Sequence, residues 1–91
     1  MSSGDKSQAF VVGPGIQAGT APKTNSGTLT VSFPKPFTGS PVVVVTPYWA
    51  LQSSQVSNIE TVVAVTAENF TVSSKNSGPS YYVNWVAYGK M

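Results

Sequence analysis

Pro41-Val42-Val43-Val44-Val45-Thr46-Pro47 is the stretch that settles the fold class. Its four consecutive valines exclude a helical period, because β-branched side chains are stiff at χ1 and favour a pleated backbone. Neighbouring residues of a strand point to opposite faces, so Val42 and Val44 line one side while Val43 and Val45 line the other. Both sides are apolar, which predicts cover on each and a place in the middle of a sheet. Pro41 and Pro47 are expected to bracket the strand, since proline cannot donate to a ladder. Beyond it, Tyr48-Trp49-Ala50-Leu51-Gln52-Ser53-Ser54-Gln55 runs from two aromatics into a polar loop. The valine run reads as scaffold and the loop beyond it as the place for a site.

Working outward, Thr28 to Phe33 alternates cleanly, with Leu29, Val31 and Phe33 on one face and Thr28, Thr30 and Ser32 on the other. Residues 34–40 form the turn before the valines, and Phe37 is expected to cap the core from it. On the far side, Asn58 to Thr66 reads as a strand with Ile59, Thr61, Val63 and Val65 on one face. Glu60 then shares the other face with Val62 and Ala64. Ala67-Glu68-Asn69 turns into Phe70-Thr71-Val72-Ser73, and Asn76-Ser77-Gly78-Pro79 is a strong turn signal. In the last strand, Ser80 to Tyr88, the residues Tyr81, Val83, Trp85 and Ala87 share a face, and Trp85 is read as core.

Upstream the signal weakens. Gln8-Ala9-Phe10-Val11-Val12 is a short first strand, broken by Gly13-Pro14-Gly15. Residues 13–27 hold four glycines and two prolines, which predicts a long irregular connection. Such a loop is either functional or a wrapping segment over a sheet edge. Residues 1–7 are small and polar and are expected to be a flexible N-terminus, leaving 8–91 as one domain. The expected fold is all-β, a six-stranded antiparallel β-sandwich.

Composition narrows the function. A chain of 91 residues buries only about 60–65% of its extended surface, and without cysteine it has no disulfide staple. Association is the expected remedy, so a homo-oligomer is predicted. The net charge of +2 comes from scattered lysines with no arginine, a poor footprint for nucleic acid. No apolar run approaches the ~20 residues that span a bilayer, so no membrane insertion is expected. The N-terminus lacks the apolar core of a signal peptide, which points to a cytoplasmic protein if the chain is complete.

An enzyme is not expected. With no histidine and no cysteine, the commonest general base and the best thiol nucleophile are missing. Neither a metal site nor a cofactor is predicted from three acidic residues spread along the chain. Glu60 and Glu68 lie at opposite ends of one predicted strand, roughly 25 Å apart, too far for a glycosidase pair. Gly13-Pro14-Gly15 lacks the Gly-Lys-Ser/Thr of a phosphate loop. Asn69-Phe70-Thr71 matches a glycosylation acceptor, a match that is idle in the cytosol.

The inventory for binding is better. Sugars are recognised by a flat aromatic face beside hydrogen-bonding groups, and Trp49, Gln55, Asn58, Glu60, Asn76 and Tyr82 are such a set. Trp49, entering a polar loop, is read as surface or subunit interface. Glu60, a carboxylate on a partly apolar strand, needs partners, and a lysine, a tyrosine hydroxyl or a ligand hydroxyl would serve.

The order of elements also resembles a known family. Thr28-Leu29-Thr30-Val31-Ser32-Phe33, Phe37 with Pro41-Val42-Val43-Val44-Val45, Glu68-Asn69-Phe70-Thr71-Val72 and Val83-Asn84-Trp85-Val86-Ala87-Tyr88-Gly89 together resemble the H-type lectin domain of a snail agglutinin and the discoidins. The resemblance covers about residues 27–89. It implies a six-stranded sandwich that assembles as a trimer, or as a hexamer of stacked trimers. It also implies galactose or N-acetylgalactosamine binding in clefts between subunits. The family's acidic residue on the N-terminal connection, its arginine and its aromatic or histidine residues before the last strand have no counterpart here. A sugar site would be rebuilt around Trp49, Asn58, Glu60 and Tyr82. The expected function is thus multivalent glycan binding, with release to reach external glycans in adhesion or defence. The alternative is a structural or interaction module without a sugar site.

Overall fold

The computed structural model describes residues 7–50 and 59–91. Over these residues seven strands form: β1 (Gln8–Gly13), β2 (Ile16–Pro22), β3 (Gly27–Ser32), β4 (Val42–Trp49), β5 (Thr61–Val65), β6 (Asn69–Ser74) and β7 (Tyr81–Tyr88). They make two antiparallel sheets, ordered β1-β2-β7-β4 and β3-β6-β5. The chain is therefore all-β and sandwich-like, with seven strands where six were expected. Among the described residues there is no helix, and so none long and apolar enough to cross a membrane.

The core lies between the sheets and is aromatic at its centre. Trp85 of β7 meets Phe70 of β6 with ring centroids 5.4 Å apart, and Phe33, just past β3, lies 5.7 Å from each of them. Phe37 packs edge-on against Phe33 at 5.0 Å and is buried, so the loop before β4 does cap the core. Offset and edge-to-face rings of this kind bind beyond their area alone. The inward row of β7, Tyr81, Val83, Trp85 and Ala87, is buried as its alternation predicts.

The extra strand is β2, inside the segment read as an irregular connection. Gly13 pairs with Ile16 across Pro14-Gly15, and Gly15 has φ 77°. Proline first and a left-handed glycine second make a type II turn, so Gly13-Pro14-Gly15 joins a hairpin and does not end structure. β2 is central, between β1 and β7, although Ala18, Gly19 and Ala21 are small. The reason is Trp85: a Cβ at Gly19 would lie 2.9 Å from the indole. Small residues here make room for the largest side chain of the core.

The valine strand also departs from expectation. Among the described residues β4 pairs only with β7 and is an edge strand, running through Pro47 to Trp49. An edge tolerates a proline that a central strand does not. Val43 and Val45 pack on the core, while Val42 and Val44 are 51% and 58% exposed. In β5 the register shifts between Val62 and Ala64. That bulge turns Val62 and Val65 both inward and leaves Val63 exposed, so simple alternation fails there.

The two outward faces differ in chemistry. Register on β3-β6-β5 lines up Thr28, Ser73 and Thr61, then Thr30 with Thr71, whose hydroxyls bond at 2.9 Å. On β1-β2-β7-β4 the rows are Ile16-Tyr88-Val42, Phe10-Ala18-Val86-Val44, Gln8-Thr20-Asn84-Thr46 and Pro22-Tyr82-Tyr48. None of these side chains is charged. Phe10, Ile16, Val42, Val44, Tyr48, Val86 and Tyr88 are all exposed there.

Candidate functional site

Where β4 ends and β7 begins, Trp49 pairs with Tyr81, and their rings meet at a tilt of 54° with centroids 4.8 Å apart. Ala50 N–H donates to the Ser80 carbonyl at 2.9 Å and continues the ladder one step. The turn before β7 comes close beneath the indole: a Cβ at Gly78 would lie 2.9 Å from the Trp49 ring. That turn is tied to the residue after β2, because Gly78 N–H donates to the Lys23 carbonyl and Lys23 N–H to the Tyr81 carbonyl.

Glu60 enters this cluster from just before β5 and is buried. Its Oε2 accepts from Ser74 Oγ at 2.6 Å, from Asn76 Nδ2 at 3.4 Å and from the Tyr81 hydroxyl. Asn76 Nδ2 also donates to the Tyr81 oxygen at 3.1 Å. Behind Asn76 stands Lys23, itself buried, whose Nζ donates to the carbonyls of Asn25, Ser74 and Asn76. Asn76 thus links the two charges, its carbonyl facing the ammonium and its amide facing the carboxylate. Burial, then the bond to Glu60, raises the Tyr81 phenol above its ordinary pKa of 10.0, with the Asn76 bond working the other way. The phenol therefore stays a neutral donor to the carboxylate.

The tyrosine hydroxyl expected as one partner for Glu60 is that of Tyr81, and Ser74 and Lys23 complete the cluster. Tyr81 was legible: a buried tyrosine wants a partner for its hydroxyl, and Glu60 was the acidic residue on a partly apolar strand. Lys23, in the segment read as irregular, carried no signal.

Of the expected sugar-site residues, Trp49, Glu60 and Asn76 converge here. Tyr82 does not, for it faces outward and packs on Tyr48 at 5.9 Å. Gln55 and Asn58, with most of the polar loop, lie outside the described residues. Among the described residues no cluster of histidine, cysteine, aspartate and glutamate is built to hold a metal. The cluster keeps two polar atoms uncommitted: Trp49 Nε1, a donor, and Glu60 Oε1, an acceptor, are buried without a partner among the described residues. A paired aromatic and carboxylate with one donor and one acceptor to spare suits binding a polyol. No family model, curated protein or solved structure matches this chain.

Proposed function

We propose that this protein is a non-catalytic, multivalent carbohydrate-binding protein whose site lies at the Trp49–Glu60 end of the sandwich. The observation that carries the reading is that Trp49 Nε1 and Glu60 Oε1 are both unbonded among the described residues and both held in place by Tyr81. Buried donors and acceptors without partners cost stability, and a ligand that engages them recovers it. A saccharide offers ring carbons to the indole and hydroxyls that both donate and accept. The galactose class comes from the H-type lectin resemblance alone. The uncharged face of β1-β2-β7-β4 supports self-assembly, because contiguous apolar patches on soluble proteins mark interaction sites. Several weak sites in one homo-oligomer, a trimer on the family pattern, gain avidity of ~10²–10⁴-fold.

The test is a glycan array on the native protein and on Trp49→Phe. Phenylalanine keeps a ring packed on Tyr81 and removes the unbonded donor, so the thermal midpoint should hold or rise. Glycan affinity should fall by roughly 2- to 10-fold, the worth of one net hydrogen bond. Silence on a broad array would sink the saccharide reading. The second reading, a structural module without a sugar site, is favoured by one observation: Glu60 Oε2 is already saturated by Ser74, Asn76 and Tyr81. A stable oligomer with a blank array is its signature.

A further inference from the structure

On the opposite flank of the molecule a cleft of about 230 Å³ opens between the β1–β2 hairpin and β3. Trp85, Ala9, Ala21, Leu29 and Val31 make its apolar wall, Ser7, Gln8, Thr30 and Ser32 line it as well, and none of the lining side chains is charged. Among the described residues, Trp85 Nε1 is buried without a hydrogen bond. Trp85 is only 3% exposed, so this donor has no water to turn to. Its position is fixed by Gly19, where a Cβ would lie 2.9 Å from Cε2, the ring carbon that carries Nε1. The donor edge of the indole is thus held against β2 at Gly19.

We infer that this cleft is a binding site for a small neutral ring molecule bearing one or two oxygen acceptors, of the aromatic-alcohol class. Size supports this: an apolar cavity of ~150 Å³ holds benzene, and the cleft is larger by about one substituent. Charge excludes anions and cations, since nothing in the lining would replace their hydration. A fully hydroxylated sugar is excluded on the same ground. It would bury four or five hydroxyls beside alanine, leucine and valine, where Trp85 Nε1 is the buried donor left uncommitted among the described residues and the lining hydroxyls are too few to pair the rest. An aromatic alcohol lays its ring against Leu29 and Val31 and accepts from Trp85 Nε1. The site is separate from the Trp49 cluster and stands whether or not that cluster binds glycans.

Indole N–H resonances provide the readout, because the chain has two tryptophans and Trp49→Phe assigns the remaining signal to Trp85. Benzyl alcohol titrated into the unaltered protein should move the Trp85 signal saturably. Its ring protons should show cross-relaxation to the methyls of Leu29 and Val31. Toluene, which has no acceptor, should bind roughly 2- to 10-fold more weakly, and methyl galactoside should leave the signal unmoved. Ala9→Leu narrows the mouth and should abolish the shift. If that variant does not fold, the cross-relaxation contacts on the unaltered protein decide. An immobile Trp85 signal, contacts mapping to another face, toluene binding as tightly as the alcohol, or a response to galactoside would each overturn the assignment.

Discussion

Buried polar side chains do the local joining in this molecule. Gln17 is fully buried, and its amide both donates to the Lys35 carbonyl at 2.7 Å and accepts from Lys35 N–H at 3.0 Å, pinning the loop before β4 to β2. Lys23 does the same at the other end by drawing together the carbonyls of Asn25, Ser74 and Asn76. Lys23→Met should therefore cost at least ~2 kcal/mol, because it leaves buried carbonyls without a donor while conserving side-chain bulk. Urea denaturation measures it, and an unchanged midpoint would mean that water replaces the ammonium. Tyr81 adds a pH dependence. Its folded pKa is raised, so its contribution to stability is complete below 10.0. Above that pH the unfolded chain sheds the proton while folded Tyr81 keeps it, and stability declines as pH rises. Thermal midpoints between about pH 8 and 11 should fall more steeply for the native protein than for Tyr81→Phe. Parallel profiles would refute the linkage.

At the scale of elements, β2 shows how packing overrides propensity. Its alanines and glycine are poor strand formers, yet it holds a central place because Trp85 needs the space above Gly19. Gly19→Ala should be destabilising by about 1–3 kcal/mol, the range for overpacking, since the new methyl would run into the Gln8 carbonyl oxygen as well as the indole. A calorimetric midpoint equal to that of the native protein would show that β1 can yield. β4 shows the converse. Its valines have the strongest strand signal in the chain, but signal strength says nothing about which strands flank it. The bulge in β5 is a third case, where one extra residue brings Val62 and Val65 to the same side.

For the whole molecule, the asymmetry of the two outward faces is the main feature. One is covered with hydroxyls, which hydrate well. The other carries exposed valines and aromatics on both β4 and β7 without a charge among them. Paired substitutions separate folding from assembly. Val43→Asp places a carboxylate against the core and should prevent folding. Val44→Asp, on a side chain 58% exposed in the single chain, should leave a folded protein that no longer associates. Circular dichroism with analytical ultracentrifugation reads both outcomes. A native protein that sediments as a monomer at micromolar concentration would refute self-assembly through this face.

What was legible in the amino-acid order is what depends on near neighbours. Period-two alternation placed the buried rows of β3, β6 and β7, and turn residues marked the ends of most strands. Burial of Phe37 and Trp85 followed from apolar residues beside those rows. Glu60 stood out as a carboxylate in need of partners. The tertiary structure alone decided matters that join distant parts of the chain. These are the place of β2 under Trp85, the edge position of β4, and the meeting of Glu60 with Ser74, Asn76 and Tyr81. Alternation tells which way a side chain points relative to its own strand. Which strand lies alongside, and which donor lies opposite, depends on how two sheets pack over one aromatic core, and no local pattern encodes that.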